Sequence, residues 1–206
     1  MLTLYDNLSS GNGYKVRLLL AQLGIPFRRV EIDIMKGESR TPEFLAKFPN
    51  GRIPAVEFDD GRRLFESSAI IWYFAEGTPL MPSDPFERAR MLQWLFFEQY
   101  SHEPYIAVAR FLAMCPDFRD ERRTGLARIM KLGYDALAVM EGHLRGDVSK
   151  PREWFAGGRY TIADIALYAY THVAHEGGFD LAGFPAVRAW LDRVRAQPRH
   201  IPITQG

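Results

Sequence analysis

The first 23 residues join a short apolar strand to an amphipathic helix through one polar, glycine-containing turn. The strand is Leu2–Tyr5, the turn is Asn7–Gly13, and apolar residues continue at helical spacing to Leu23. Gly24 and Pro26 predict the end of the helix. Three polar side chains stand where the helix begins: Ser9, Ser10 and Asn12. Because a helix start offers free backbone N–H groups and a partial positive charge, the junction predicts a site for an anion or a thiolate.

Three more strands are predicted before the second half of the chain, at Phe27–Asp33, Ala55–Phe58 and Arg63–Phe65. A helix separates the first two strands of the chain, which makes them parallel, whereas the Asp59–Gly61 turn makes the last two antiparallel. A short helix is predicted at Pro42–Lys47, and another begins near Ser67. The order β-α-β-α-β-β-α predicts a mixed four-stranded sheet with helices on its faces.

The second half of the chain carries helical periodicity and no strand pattern. It follows Thr78–Phe86, which holds three prolines and is typical of a linker. Helices are predicted at Phe86–Met114, at Arg122–Leu144, from Thr161 and at Pro185–Ala196. Pro104 should bend the first of them, because it removes the bond to the carbonyl of Tyr100. We therefore expect an α/β domain at residues 1–78, a linker at 79–86 and an all-α domain at 87–206.

Composition excludes several classes of function. The 206 residues are 47% hydrophobic and 25% charged with a net charge of +1, so a nucleic-acid partner is not expected. The longest notable apolar run, Ala69–Ala75, is far shorter than the ~20 residues that span a membrane. Cys115 is the one cysteine, which excludes a disulfide framework and a cysteine zinc cluster. The start of the chain does not have the pattern of a signal peptide, so we expect a cytoplasmic protein. We also expect that the protein holds no metal.

The opening turn admits two other interpretations. Gly11 and Gly13 between a strand and a helix are similar to the start of a dinucleotide-binding fingerprint, and Glu31 lies about twenty residues further on. However, Val16 stands where the third glycine belongs, and the sheet turns antiparallel where such a domain would continue in parallel. The serines and glycines could also simply form a turn.

Two further motifs of the first domain carry possible chemistry. Pro54 stands at the entrance of a strand, where proline is tolerated; alternatively it is a cis-proline that exposes the backbone of Ile53 to an extended peptide. Ser67 is suited to cap its helix, and Glu66 precedes it. Glu66 could bind an ammonium while Ser67 binds a carboxylate, which together fit an amino-acid zwitterion.

Taken together, these motifs resemble the cytosolic glutathione transferase family along essentially the whole chain. The resemblance includes the hydroxyl-bearing turn, Ile53-Pro54, Glu66-Ser67 and the helix start Thr161-x-x-Asp164, and the run from Ser10 to Lys15 is similar to bacterial relatives of the Nu class. It implies a thioredoxin-like domain followed by a helical bundle, usually as a homodimer, with glutathione as co-substrate.

The resemblance also implies roles for individual residues. The resemblance matches Ser10 to the hydroxyl that hydrogen-bonds to the glutathione sulfur and Asn12 to a second polar donor. Ser9 could take the place of Ser10. Ile53 would pair its backbone with the cysteinyl unit, while Glu66 and Ser67 match the γ-glutamyl contacts. The glycine carboxylate fits Arg52 or, as a weaker candidate, Lys36.

The electrophile is expected between the two domains, near the Pro104 bend, against Tyr100, His102 and Tyr105. Part of this aromatic group could simply pack. Gly13 stands where some relatives carry a cysteine, so a mixed disulfide between protein and glutathione is disfavoured. The preferred function is conjugation of glutathione to a small hydrophobic electrophile. The alternatives are a glutathione-dependent disulfide or peroxide reductase and a non-catalytic binding or regulatory protein of the same fold.

Overall fold

The computed structural model describes residues 1–116, 121–147 and 150–206. Within these ranges the chain divides into two compact units, one of Met1–Thr78 with Pro198–Gly206 and one of Pro79–Gln197. The last nine residues thus belong with the first unit, whereas the sequence places them in the predicted helical domain at 87–206. The reason lies in backbone carbonyls near the end of the chain, which accept hydrogen bonds from side chains of the first helix.

The first unit contains the mixed sheet that the sequence predicts. In chain order its elements are β1 Leu2–Asp6, α1 Gly11–Leu23, β2 Phe27–Glu31, α2 Pro42–Lys47, β3 Ala55–Glu57, β4 Arg63–Phe65 and α3 Ser67–Ala75. The strand order is β2-β1-β3-β4. Strand β1 runs parallel to β2 and antiparallel to β3, and β3 runs antiparallel to β4. The predicted α/β domain with a mixed four-stranded sheet is confirmed.

Alternation along the strands gives the sheet two apolar faces. On one face, Tyr5 of β1 packs edge-on against Phe44 of α2 and against Phe48, which follows α2, with ring centroids 6.0 and 5.3 Å apart. Leu4 points to the opposite face and pairs in register with Val56 of β3; both side chains are fully buried. Helix α2 therefore covers one face of the sheet, and the opposite face is buried as well.

The second unit contains helices and no strand among the residues that the structure describes, which confirms the predicted all-α half. Its α-helices are α4 Pro85–Phe97, α5 Glu103–Met114, α6 Leu126–Arg145, α7 Ile162–Thr171 and α8 Pro185–Arg195. Helix α7 is buried along its whole length. At its start Thr161 and Asp164 form the capping box that the sequence predicts, and Asp164 Oδ1 also accepts from the Trp190 indole at 3.0 Å.

The predicted interruption at Pro104 takes the form of a π-helical turn. Glu98–His102 forms this turn between α4 and α5, and the N–H of Glu103 bonds to the carbonyl of Glu98. Pro104 then lies in the first turn of α5, where its missing N–H costs little. A π turn inserts an extra residue between two helical segments, and periodicity in the sequence does not report it.

Candidate functional site

Ser10 is the N-cap of α1. Its backbone is extended, and its Oγ accepts a hydrogen bond from the N–H of Gly13 at 3.1 Å. Ser, Thr, Asn and Asp are preferred here because the side-chain oxygen satisfies a donor that the helix leaves open. Accepting this bond leaves the hydroxyl proton of Ser10 available for donation. The half-buried Ser10 can therefore cap α1 and donate to a ligand at the same time.

Ser9 is arranged differently from Ser10. It is exposed, and its hydroxyl donates to Oδ1 of Asn7 at 2.6 Å. A hydroxyl has one proton to donate, so Ser9 could address a ligand only by giving up this bond. The geometry of the turn consequently favours Ser10 over Ser9 as the hydroxyl donor.

Asn12 and Ser67 bring two parts of the first unit together. The Ser67 hydroxyl donates to Oδ1 of Asn12 at 3.3 Å, across 55 residues of sequence. Asn12 lies in the first turn of α1, and Ser67, which is 4% exposed, is the first residue of α3. Two helix N-termini therefore meet at one place, where both present backbone N–H groups and partial positive charge.

Glu66 stands immediately before α3 in an unusual conformation. Its φ is +70°, a region that residues other than glycine rarely adopt, and its side chain does not cap the helix. Instead Oε1 accepts a hydrogen bond from Nδ2 of Asn50 at 3.0 Å, and the carboxylate is exposed. Such strained backbone clusters at ligand sites, where the surrounding structure holds it in place.

Asn50 is a residue that the sequence reasoning missed. It precedes Gly51, and the only signal in the sequence was this Asn-Gly pair, which is typical of a turn. The turn brings Asn50 next to Glu66, and the Arg40 guanidinium donates to the Asn50 carbonyl at 3.2 Å. A two-residue motif can indicate a turn, but it cannot indicate which distant side chain the turn will meet.

The remaining peptide-binding candidates lie near β3. The Ile53–Pro54 peptide bond is cis, and the half-buried Ile53 comes just before β3. Arg52 beside it is exposed. Lys36, the weaker candidate for the same role, forms an exposed ion pair with Asp33 at 3.1 Å. Arg52 therefore remains the better candidate for an incoming carboxylate.

Asp6 and Arg17 form a buried ion pair beneath the turn. Both side chains are fully buried, and Nε of Arg17 donates to Oδ2 of Asp6 at 2.8 Å. Burial raises the pKa of Asp6 to about 6, although the Arg17 guanidinium acts in the opposite direction. Neither residue was singled out from the sequence, because nothing local shows that Asp6 at the end of β1 faces Arg17 of α1.

The three candidates of the second unit lie in different environments. Tyr100 is 83% exposed, and Tyr105 is half-buried. His102 is fully buried, and its Nε2 lies 2.9 Å from Oγ1 of Thr171 on α7. Burial inside the helical unit and the contact with Thr171 argue for a structural role of His102. Only the two tyrosines are therefore retained as candidates for substrate contact.

Among residues 1–116, 121–147 and 150–206, no three His, Cys, Asp or Glu side chains are grouped so that they could hold a metal ion. None of the helices that the structure describes combines the length and the apolar content needed to cross a bilayer.

Comparison with known families matches both halves of the chain. The family described as glutathione S-transferase, N-terminal domain, matches residues 1–76, and its C-terminal domain matches residues 107–193. The crystal structure of a glutathione S-transferase from Pseudomonas fluorescens Pf-5 is 49% identical, with a TM-score of 0.93, and the match covers 99% of each chain.

One further relative is named for disulfide chemistry, and another is known in complex with glutathione. The disulfide-bond oxidoreductase YfcG of Escherichia coli K12 is 32% identical, over 91% of this chain and 87% of the relative. A structure of Ure2p in complex with glutathione is 26% identical, with a TM-score of 0.84 and 96% of each chain covered. Glutathione is thus bound by a homologue of the same fold. The thioredoxin-like fold, the helical second half and these matches together show that the chain belongs to the glutathione S-transferase family.

Proposed function

We propose that this protein binds glutathione as its thiolate and transfers it to a small hydrophobic electrophile. The observation that carries the proposal is the contact between Asn12 and Ser67, which joins the N-termini of α1 and α3. Ser10 then supplies a hydroxyl, Asn12 a side-chain amide and Ser67 the backbone N–H of a helix start at one place, beside two partial positive charges. Such an arrangement suits a tripeptide that carries a carboxylate at one end and a developing thiolate nearby.

The energy needed to form the thiolate explains why a polar side chain is required. A free thiol has a pKa of about 8.5, and lowering it by about two units at the site requires roughly 2.7 kcal/mol. A helix terminus supplies about 0.3–1 kcal/mol, or up to ~2 when partly buried. A hydrogen bond to a charged group supplies about 1.5–3 kcal/mol. The helix start and one donor together suffice, and we assign the donor role to Ser10, with Asn12 as a second donor.

The rest of the tripeptide fits the groups along α3 and β3. The exposed carboxylate of Glu66 is suited to the γ-glutamyl ammonium, and the helix start at Ser67 to the γ-glutamyl carboxylate. We propose that the backbone of Ile53 pairs with the cysteinyl unit and that Arg52 binds the glycine carboxylate. The ammonium of glutathione would thus contact a carboxylate, and its two carboxylates would contact hydrogen-bond donors.

For the electrophile we propose contact with Tyr100 and Tyr105. A tyrosine ring offers a large apolar surface together with one hydroxyl, which suits an aromatic or alkyl electrophile that gains charge during attack. In the reaction the glutathione sulfur forms a bond to the electrophilic carbon, and the leaving group departs with the bonding electrons. Ser10 and Asn12 stabilise the sulfur charge before the attack and release it as the new bond forms.

Disulfide reduction is a second candidate function, favoured by the 32% identity to the Escherichia coli disulfide-bond oxidoreductase. Gly13 supplies no thiol at the turn, so the bound glutathione would itself attack the disulfide. A second glutathione would then complete the exchange, giving two thiols and oxidised glutathione. The same Ser10 and Asn12 donors would hold the attacking thiolate in this reaction.

Three measurements on the purified protein separate these functions. Calorimetry tests glutathione binding, an aryl halide tests conjugation, and 2-hydroxyethyl disulfide tests reduction. We expect binding together with conjugation faster than reduction. A rate on the disulfide that far exceeds conjugation would favour the reductase, and binding without either activity would favour a non-catalytic protein. Absence of binding would overturn the proposal. We further propose a homodimer, as is usual in the family, which light scattering tests directly.

A further inference from the structure

The buried guanidinium of Arg17 connects the turn that carries Ser10 to the segment Pro198–Gly206. Besides the bond to Asp6, Arg17 donates to the carbonyl of Leu8 at 2.7 Å, to that of Ile203 at 2.8 Å and to that of Gln205. These contacts account for four of the five N–H groups that an arginine offers. Arg17 is fully buried, so bulk water cannot replace the acceptors while the segment stays in place.

A second contact ties the same segment to the same helix. The hydroxyl of Tyr14, one turn before Arg17, donates to the carbonyl of Ile201 at 2.6 Å and lies 3.3 Å from Nε2 of His200. Tyr14 is fully buried as well. The segment is therefore attached to α1 at two successive turns through its backbone, so the contacts depend on where the chain runs and little on its side chains.

Leu8 links these contacts to the turn that carries Ser10. Leu8 lies inside the opening turn, two residues before Ser10, and its carbonyl is held by the same guanidinium that holds Ile203 and Gln205. A functional donor must stay within about 0.5 Å of its productive position, and groups around it provide that precision. Arg17 can keep this turn in one arrangement only while these four contacts persist.

We propose that Arg17 and the segment Pro198–Gly206 position Ser10, and that loss of the segment loosens the turn without removing the peptide-binding groups. The proposal rests on the proposed function for its effect on catalysis, but the loosening itself does not. Arg17 is a positioning residue, since it acts through the Leu8 carbonyl. Glu66, Ser67 and Ile53 lie on other parts of the unit, so binding of the tripeptide should change little.

The test compares two deletions of the full chain. Deletion of residues 203–206 removes both carbonyls that Arg17 contacts in the segment, whereas deletion of Gly206 alone leaves the Ile203 carbonyl and an oxygen acceptor at Gln205, now part of the terminal carboxylate. Amide exchange of residues 8–13 is measured first, because it needs no substrate. We expect at least fivefold faster exchange for the longer deletion and unchanged exchange for the control. Equal exchange in the two proteins would overturn the proposal.

Steady-state kinetics of the same two deletion variants are measured next. For the longer deletion we expect kcat for conjugation to fall at least tenfold, KM for glutathione to stay within twofold, and the pKa of the bound thiol to rise. A lower rate through general unfolding would instead raise KM and leave the thiol pKa of the folded fraction unchanged, which would overturn the proposal. If the parent protein lacks conjugation, the proposed function fails, and amide exchange alone decides whether the segment holds the turn.

Tyr14→Phe provides a variant for the case in which the longer deletion does not fold. It keeps the ring and the chain length and removes only the hydroxyl that contacts the segment. We expect about threefold faster exchange at residues 8–13 in this variant, with circular dichroism unchanged. Exchange equal to that of the parent protein would contradict the attachment of the turn to the segment.

Discussion

A carboxylate oxygen of Asp6 occupies the space that a side chain on Gly13 would need. Both residues flank the opening turn, Asp6 at the end of β1 and Gly13 in the first turn of α1. The carboxylate cannot easily move, because it is fully buried and bonded to Arg17. The absence of a cysteine at position 13 thus has a packing reason as well as a chemical one, and a thiol cannot be introduced there without displacing the ion pair.

We predict that Gly13→Ala lowers the free energy of unfolding by about 1–3 kcal/mol, the usual cost of forcing a methyl group into filled space. Gly142→Ala is the matched control, since Gly142 is also helical and a methyl group there would meet nothing within 4 Å. The control should gain up to about 1 kcal/mol from helix propensity. Urea denaturation measures both values. Equal effects of the two substitutions would contradict the overlap with Asp6.

Ser10→Ala should lower turnover in conjugation at least tenfold while glutathione affinity changes little. The variant loses the hydroxyl donor to sulfur but keeps Glu66, Ser67 and the helix start. It also loses its cap on Gly13, which should cost about 1 kcal/mol of stability. Ser9→Ala is the control, because the Ser9 hydroxyl already donates to Asn7. Turnover that falls in Ser9→Ala and not in Ser10→Ala would transfer the role to Ser9.

Glu66→Ala should weaken glutathione binding at least tenfold and affect kcat much less, as calorimetry and steady-state kinetics can show. Glu66→Gln separates charge from position, since a glutamine oxygen can still accept from Asn50. If the charge binds the ammonium, both variants bind glutathione equally weakly. Affinity that stays normal in Glu66→Gln would show that the contact with Asn50 matters and that the charge does not. Unchanged affinity in both variants would remove Glu66 from the site.

His143 should make folding stability depend on pH. Burial, assisted by the charges of Arg152 and Arg90, lowers the pKa of His143 to about 4 from its usual 6.5. The unfolded chain therefore binds more protons than the folded one between these values, so stability falls as pH drops from about 6.5 to 4. Because His143 is only half-buried, we expect a loss of about 1–2 kcal/mol.

His143→Phe isolates this contribution to stability. A phenylalanine keeps a ring against Phe155, on which His143 stacks at 5.3 Å, and does not titrate. Urea denaturation at pH 6.5 and pH 4.5 should show a smaller loss of stability in the variant than in the parent protein. An identical loss in both proteins would show that His143 does not titrate on unfolding in this range.

Local signals in the sequence were sufficient for most of the fold. The helix between the first two strands and the Asp59–Gly61 turn predicted the mixed sheet, and periodicity predicted the helices that follow. Thr161 and Asp164 indicated their helix start, because a capping box acts within four residues. The motifs around Ser10, Ile53 and Glu66 were likewise visible, since each depends on neighbours in the chain.

The contacts of the site were decided by tertiary structure. The hydrogen bonds of Ser67 with Asn12 and of Glu66 with Asn50 join residues that are 55 and 16 positions apart, and nothing local encodes such pairs. The fully buried state of His102 depends likewise on α7, which supplies Thr171. Burial and partners are properties of packed elements, so they can be read only after packing is known.

The sequence by itself determined the order of the elements, their capping and the chemical character of the opening turn, because these depend on backbone preferences and on side chains within one or two helical turns. Only the tertiary structure decided that Asp6 fills the space beside Gly13 and that Arg17 donates to the carbonyls of Ile203 and Gln205. A buried guanidinium requires acceptors from wherever the chain can supply them, and here they come from residues nearly two hundred positions away.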